Sequence, residues 1–367
     1  MILGKILEGW NQDRGPGPDL ELVSLYVDQF PENDMSRDLA KKYGFRLTKT
    51  NDEAITLGTG SVGVAGVLSI GEHGEYPNDP VTKQHLYPRK RFFDEIVAAM
   101  TRGGKFVPLF SDKHLAARTD EALAMYRTAK ELQIPFMAGS SLPVAWREPP
   151  LQLPMGCDIE SAIAVGYGGN ESYGFHTLEV LQCMVERRRG GEAGVKAVRA
   201  ATGKEILAAE KQGYWSRELL VAALQTNDRQ LPENWLDELV KAGRPFYLID
   251  HRDGFKSSVA MTDSGRFLFA CKLKGDKAPA TTEFTLQTGP PNRHFAWLLR
   301  GIEHMVHARK PAYPVERTVI TTGILDAAMR SLAQGGERIE TPELDVAYRT
   351  STWGHAPGQP PEPRENY

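Results

Sequence analysis

Short apolar runs alternate with amphipathic segments through the first part of the chain. The runs typical of buried strands cover residues 20–27, 65–70, 106–110 and 134–138, and helical periodicity covers residues 35–43, 89–100 and 119–132. Short strands that alternate with amphipathic helices are typical of a parallel sheet covered by helices on both faces. The pattern therefore predicts a Rossmann-like, doubly wound parallel α/β domain over residues 1–145.

The pattern changes after the proline-rich segment 148–154. Strand-like stretches follow at residues 158–167, 194–201, 245–252, 256–261, 267–273 and 281–287, with helical periodicity at 177–188, 216–224, 294–307 and 314–332. A run of strands with few helices between them indicates an open, mostly antiparallel sheet with one covered face. We predict an α+β domain over residues 146–349 for the substrate and for oligomerisation, followed by a Pro/Gly-rich tail over residues 350–367.

Two polar clusters carry the candidate chemistry. Residues 111–116 follow an apolar run, and residues 168–176 lie further along the chain. Open α/β sheets bind ligands at the carboxyl ends of their strands. Lys113 could hold a substrate hydroxyl, and His176, near the predicted start of a helix whose dipole disfavours the imidazolium, could accept its proton. The structural alternatives are a surface lysine at a turn and a core histidine bonded to the backbone.

Six further residues complete the predicted substrate site. Glu72 and His73 follow a predicted buried strand, between glycines that allow the backbone to approach a ligand closely. Trp146 and Tyr173 offer aromatic faces for a sugar ring, and an arginine such as Arg147 can clamp an anionic group. The sixth residue is Glu179. Trp146 could equally be a core residue where the two predicted domains join.

Composition and charge narrow the class of protein. The 367 residues are 41% hydrophobic and 25% charged, with a net charge of −3, so we expect neither a nucleic acid partner nor a membrane partner. No apolar run approaches the roughly 20 residues of a membrane span, and the first residues do not resemble a signal peptide. Three widely spaced cysteines, at positions 157, 183 and 271, indicate a reducing compartment. We expect a cytoplasmic protein that acts on a small molecule.

Several motifs resemble those of one enzyme family. Asp28 and the later Lys41-Lys42-Tyr43-Gly44 resemble the end of a second Rossmann strand and a "KYG" helix end. Residues 112–116, Asp-Lys-His-Leu-Ala, resemble an "EKPLA" motif, and Gly174-Phe175-His176 with Glu179 resembles "GGGxxxDxGxHxxD". On these motifs the chain resembles the glucose–fructose oxidoreductase/inositol dehydrogenase (Gfo/Idh/MocA) family, over most of its length.

The resemblance implies an enzyme that uses NAD or NADP on a sugar, sugar acid or polyol. It implies that Lys113 positions and polarises the reacting hydroxyl, that His176 is the acid/base, and that Asp28 binds the adenosine ribose. It also implies a homodimer or homotetramer assembled through the C-terminal sheet.

The chain departs from the family pattern at three places. Ser172 replaces the aspartate before the histidine, His114 replaces the proline after the lysine, and the first strand with its glycine-rich turn has no counterpart. That turn lets backbone N–H groups approach the pyrophosphate. The role of Asp28 is therefore conditional on dinucleotide binding. Either the chain is truncated relative to the family, or its scaffold no longer binds a dinucleotide in the usual way. We also expect compensation for the missing strand, for example from a neighbouring subunit.

Two alternatives to hydride transfer remain open from the sequence. One is a redox-neutral hydrolase or lyase on an ester or phosphoester, without a dinucleotide and with or without Zn²⁺ or Mn²⁺. The candidate metal ligands are Glu72, His73, Asp112, His114, His176 and Glu179, although no local metal-binding spacing supports them. The other alternative is a catalytically silent sugar-binding protein.

Overall fold

The computed structural model of the chain describes residues 1–9, 17–289, 292–360 and 362. Its N-terminal half contains five parallel strands in two groups. The strands are β1 (Ser24–Tyr26), β2 (Arg46–Thr48), β3 (Val67–Ser69), β4 (Leu109–Asp112) and β5 (Phe136–Gly139). The helices are α1 (Ile2–Glu8), α2 (Ser36–Tyr43), α3 (Asn51–Thr56), α4 (Arg89–Arg102) and α5 (Thr119–Glu131). Strands alternate with helices as the hydrophobic pattern predicts.

The parallel sheet is interrupted between β1 and β3. One sheet has the order β1-β2 and the other β3-β4-β5, and every pair in them is parallel. In a dinucleotide-binding sheet of order 3-2-1-4-5-6, the first strand lies at this position. No strand of the described residues pairs there, in agreement with the absence of a counterpart to the first strand in the sequence.

The C-terminal half is built on one eight-stranded sheet. Its strands are β6 (Trp146–Glu148), β7 (Ile159–Gly166), β8 (Val195–Ala201), β9 (Phe246–His251), β10 (Lys256–Met261), β11 (Leu268–Leu273), β12 (Ala280–Thr285) and β13 (Ile339–Glu340), in the order β13-β8-β9-β10-β7-β11-β12-β6. Only the β7–β10 pair of this sheet is parallel. The predicted fold class, a Rossmann-like part with a mostly antiparallel sheet, is therefore confirmed.

Helices cover both faces of this sheet. They are α6 (Ser172–Val185), α7 (Lys204–Lys211), α8 (Arg217–Leu224), α9 (Trp235–Ala242) and α11 (Glu316–Ala333). Helix α10 (His294–Ala308) packs instead with Ile2 of α1 and with Phe110 and Met137 of the parallel strands. On one face, the largest core cluster contains residues of α6 and α11 such as Leu178 and Ile324. On the other, Trp215 and Leu220 pack with Val165 and Phe246, all at most 5% exposed. The expectation of a single covered face was wrong, because α7 and α9, unpredicted from the sequence, cover the second face together with α8.

The burial of the second sheet face affects the predicted oligomer interface. The apolar outer face of the sheet, through which a dimer or tetramer was predicted, is buried within the chain itself, as Ile163 and Leu268 show with 0% exposure. No helix of the described residues is long and apolar enough to cross a membrane. The predicted tail also packs on its own chain, since Ala356 N donates to Val144 O (3.0 Å) and Ser351 Oγ to Ala312 O (2.6 Å). Residues 361 and 363–367 of that tail lie outside the described residues.

Candidate functional site

Lys113 directly follows β4, at the carboxyl end of the parallel strands. Its backbone adopts a left-handed conformation with φ of 66°, which non-glycine residues rarely adopt and which often marks functional sites. Its N–H donates to Gly139 O at the end of β5 (3.1 Å). The strained backbone is therefore held between two strand ends.

The Lys113 ammonium lies between two carboxylates. Its Nζ is 2.8 Å from Glu72 Oε2, in the loop after β3, and 2.8 Å from Asp112 Oδ2. Burial opposes the charge, but Asp112 and Glu72 raise the Lys113 pKa above its ordinary value. Burial raises the pKa of Asp112, whereas Lys113 holds the pKa of the partly exposed Glu72 below its usual range against the effect of burial. An ammonium has three donors, so one remains for a ligand.

A cavity of about 230 Å³ opens beside this ion triad. It is lined by Glu72, Asn78, His85, Tyr87, Arg89, Lys113, His114, Glu171, Ser172 and Phe175. Arg89, at the start of α4, is 2% exposed, and its Nη1 lies 2.9 Å from His114 Nε2. Burial, followed by the charge of Arg89, lowers the His114 pKa well below its ordinary value, so this imidazole is neutral.

Several buried polar atoms around the cavity have no hydrogen-bond partner within the part of the chain that the structure describes. They are Arg89 Nε, His85 Nε2, His114 Nδ1 and Glu171 Oε1. Because buried polar groups are nearly always hydrogen-bonded, such a concentration is unusual for a purely structural cluster. The set includes nitrogen donors and a carboxylate acceptor, which is the complement of a hydroxyl-rich molecule.

His176 belongs to the same region but not to a helix start. Helix α6 begins at Ser172, five residues earlier than the sequence predicts, so His176 lies in its second turn and the helix-dipole argument does not apply. Burial, followed by the charge of Lys113, lowers its pKa to about 3. Its Nδ1 has no hydrogen-bond partner in the protein. The structure thus offers a neutral imidazole within electrostatic reach of Lys113.

Three other predicted substrate residues, His73, Tyr173 and Glu179, lie in different environments. His73 is exposed, with φ of 67°. Tyr173 is 37% exposed and stacks on Phe267 with ring centroids 6.0 Å apart. Glu179 is fully buried, accepts from Thr321 Oγ1 (2.8 Å), and has a pKa raised by burial to about 7. Glu179 therefore connects α6 to α11, and it does not line the cavity.

Trp146 and Arg147 also lie away from the cavity. Both are 4% exposed on β6, at the edge of the large sheet. Arg147 donates to Leu151 O (2.8 Å), Gln152 Oε1 (3.0 Å) and Pro143 O (3.2 Å). The structure thus corrects the prediction that these two residues wall the pocket, because their side chains are used within the core.

Asp28 lies at the carboxyl end of β1, as a ribose-binding carboxylate would. Its Oδ1 accepts from Tyr26 Oη (2.6 Å), and its Oδ2 accepts from Tyr76 Oη (2.7 Å) and Arg91 Nη2 (2.6 Å). Burial opposes the charge, but these donors hold its pKa below the ordinary value. Asp28 is therefore ionised and bridges the interrupted sheet to the loop after β3 and to α4.

The predicted metal ligands do not gather into a metal site. No group of three or more His, Cys, Asp and Glu side chains in the described part of the chain could hold a metal ion. Glu72 and Asp112 are directed at Lys113, and Glu179 at Thr321, Thr318 and Ser140. The described residues therefore do not fit a bound metal.

The sequence reasoning missed Arg89, His85 and the role of Glu171. Arg89 and His85 belong to the segment that leads into α4, whose apolar periodicity pointed only to a helix. Glu171 lies in the polar cluster before α6, but no motif distinguished it from its neighbours. The backbone N–H of His85 donates to the side-chain Oε2 of Glu171 (2.9 Å). This hydrogen bond joins segments that are far apart in sequence.

Comparisons with known proteins identify solved structures that the chain resembles. No protein-family model and no curated protein sequence matches the chain. A solved structure of GenD2 from gentamicin A biosynthesis, in complex with NAD, is similar at 17% identity and a TM-score of 0.55, covering 92% of each chain.

Two further structures are similar to a comparable degree. An oxidoreductase from Agrobacterium radiobacter, in complex with NAD⁺, L-tartaric acid and magnesium, has 13% identity and a TM-score of 0.52, covering 92% of this chain and 95% of its own. A myo-inositol dehydrogenase from Corynebacterium glutamicum has 11% identity and a TM-score of 0.50, covering 88% and 92%. At these identities the likeness establishes the fold, and it is the two-domain fold of the Gfo/Idh/MocA-type dehydrogenases.

Proposed function

We propose that this chain is an oxidoreductase that acts on a neutral polyol or sugar in the cavity beside Lys113. The observation that carries the proposal is the set of unpartnered donors and acceptors around that cavity, which the charged Lys113 and the neutral His114 line. The neutral His176 does not line the cavity but lies within electrostatic reach of Lys113. Each hydroxyl of a polyol is both a donor and an acceptor, so a ring of hydroxyls can satisfy both kinds of atom at once.

The charges of the cavity support a neutral substrate. Arg89 has no carboxylate within 4.0 Å among the described residues, and Glu171 Oε1 lies 3.6 Å from Nε2 of the neutral His114. One cation and one anion thus remain without a direct ionic partner. Adjacent hydroxyls can accept from a guanidinium and donate to a carboxylate at the same time, whereas a charged group would be repelled by one of the two.

The proposed chemistry begins with a proton. A substrate hydroxyl that accepts a hydrogen bond from Lys113 Nζ gives its proton to His176, and the ammonium stabilises the oxygen as negative charge develops on it. The positive charge of Lys113 lowers the pKa of a hydroxyl bound beside it, which favours transfer of the hydroxyl proton to His176. In the reverse direction His176 returns the proton and Lys113 polarises the carbonyl.

We propose NAD or NADP as the redox partner, supported by the dinucleotides bound in the similar structures. Asp28 Oδ1 accepts only one hydrogen bond among the described residues, and a carboxylate oxygen can accept a second, here from a ribose hydroxyl. The bound dinucleotide would accept a hydride from the carbon that carries the hydroxyl. Asp28 would bind and orient it, and Lys113 and His176 would act on the substrate alone.

The test combines ligand binding with turnover. Purified protein is titrated with NAD and NADP by calorimetry and is then screened against polyols and sugars for formation of the reduced dinucleotide. We expect His176→Asn to lower kcat by about 10²–10⁴-fold and His307→Asn, an exposed histidine on α10, to leave it unchanged. Undiminished turnover in His176→Asn would refute the assignment of the base.

A redox-neutral lyase or hydrolase acting through the same Lys113 and His176 is the second candidate. It is favoured by the contacts that tie the ends of β1 and β3 together where a dinucleotide would lie. Besides the bonds to Asp28, Gln29 Oε1 accepts from Glu75 N (2.7 Å) and Gln29 Nε2 donates to Glu75 O (3.2 Å). Binding of a polyol without binding of either dinucleotide would favour this candidate.

A further inference from the structure

Three arginines meet around a second, smaller cavity, away from Lys113. Arg147 of β6, Arg187 just after α6, and Arg317 of α11 line it together with Glu186 and Tyr313. The cavity measures about 10 Å³, so it has room for a single small particle. Thr350 and Trp353 of the C-terminal tail also line it.

The carboxylate at this cavity is already fully bonded. Glu186 accepts from Arg317 at both oxygens (Nε–Oε2 3.0 Å and Nη2–Oε1 2.5 Å). It also accepts from Tyr348 Oη (2.7 Å) and Thr350 Oγ1 (2.5 Å). One negative charge therefore compensates one of the three guanidinium groups.

Arg147 has no ionic partner of its own. Its donors reach backbone carbonyls, an amide oxygen and the Cys183 sulfur (3.8 Å). Burial raises the pKa of the Cys183 thiol to about 11, so the sulfur is neutral. No carboxylate of the described residues lies within 4.0 Å of Arg147 or of Arg187. Buried charges are ordinarily paired, because an isolated ion in the protein interior is costly.

Two donors at the cavity are also unpartnered. Arg147 Nε and Tyr313 Oη have no hydrogen-bond partner among the described residues, and the two residues are 4% and 3% exposed. A water molecule would satisfy such donors but would leave the excess positive charge. A small anion satisfies both the donors and the charge.

We propose that this cavity binds a single small inorganic anion with the charge and size of chloride. The anion accepts from Arg147 and Tyr313, and its single negative charge compensates the guanidinium charge of Arg147. Since Thr350 and Trp353 border the cavity, the bound anion holds the C-terminal tail against the start of the large sheet. The site is independent of the proposed reaction at Lys113.

Thermal unfolding of the whole chain tests the proposal. The melting temperature is measured over a series of sodium chloride concentrations, and again with sodium methanesulfonate, a larger monovalent anion, at the same ionic strength. We expect chloride alone to raise the melting temperature, by about 2 °C for each tenfold increase above its dissociation constant. In crystals grown with bromide, we expect an anomalous-scattering peak within the cavity.

Variants separate the site from general salt effects. Arg147→Met should abolish the chloride dependence, while Arg118→Met, which removes an exposed arginine paired with Asp120, should retain it. If Arg147→Met does not fold, Tyr313→Phe removes one donor without changing the packing and should weaken chloride binding. Equal melting temperatures in chloride and methanesulfonate, with no bromide peak, would overturn the proposal and leave a site for water only.

Discussion

Replacing Lys113 by methionine removes the cation that separates Glu72 from Asp112. The ammonium is 2.8 Å from a carboxylate oxygen of each, and the Lys113, Asp112 and Glu72 side chains are 12%, 4% and 23% exposed. Removing one partner of a buried ion pair typically costs about 3–5 kcal/mol. Because Glu72 is partly exposed to water, we expect a loss at the lower end, about 3 kcal/mol in the free energy of unfolding at pH 8.

The loss should depend on pH with a defined sign. The Asp112 pKa is already raised in the folded protein by burial, so its contribution to stability is full below its unfolded pKa and is lost as the pH rises through the folded value. Without Lys113 the folded pKa rises further, which deepens that loss at high pH. Glu72, whose pKa Lys113 lowers, stabilises the wild type above its unfolded pKa, and this contribution disappears in the variant. Both effects make the Lys113→Met variant least stable, relative to the wild type, at high pH.

Urea unfolding at pH 5 and pH 8 measures the effect. The difference between wild type and Lys113→Met should be much smaller at pH 5, and Asp112→Asn combined with Lys113→Met should recover most of the stability lost at pH 8. Lys90→Met, which removes an exposed ion pair with Asp94, serves as the matched control and should change stability by no more than about 1 kcal/mol. An equal loss at both pH values, without recovery in the double variant, would refute the ion-triad argument.

Three further predictions concern packing and titration. Glu179→Gln should stabilise the protein at pH 8 but not at pH 4. Burial raises the pKa of the Glu179 carboxyl to about 7, so its contribution to the free energy of unfolding is lost as the pH rises through that value. The melting temperature measured as a function of pH tests this. Gly139→Ala should cost about 2–4 kcal/mol in urea unfolding, because its φ is +113° and the added Cβ would meet Glu179 and lie 2.8 Å from Thr318 Oγ1. Trp215→Ala should cost about 3–5 kcal/mol and, by opening the outer face of the large sheet, should promote self-association in analytical ultracentrifugation.

Most strands were predicted from the sequence, whereas the shortest ones, such as β2 and β13, were not. The predicted β10 boundaries, residues 256–261, agree with the structure. Helices α7 and α9 were missed, since each is eight residues long and such helices depend on tertiary packing more than on their own periodicity. Helix α6 was placed too late because Gly174 and the polar residues before it are typical of a loop.

The site could be predicted only where local motifs mark it. Lys113 and Glu72 each follow a strand in sequence, and the structure brings them within 2.8 Å of each other. Arg89 and Glu171 have no such mark, because they reach the cavity through pairings between distant segments that only the folded chain shows. Arg147 was predicted to line the substrate pocket because arginine often binds anionic ligands. Its side chain lies in the core instead.

The interruption between β1 and β3 also determines how cooperatively the molecule opens. Among the described residues, the side chains of Gln29, Tyr76 and Arg91 form hydrogen bonds across it, and no backbone ladder does. The β1–β2 part should therefore open at lower free energy than the eight-stranded sheet, and its amide protons should exchange with solvent first. A ligand that contacts both Asp28 and Lys113 would stabilise the β1–β2 pair against the β3-β4-β5 sheet. Its measured affinity would therefore include the free energy of ordering the β1–β2 part.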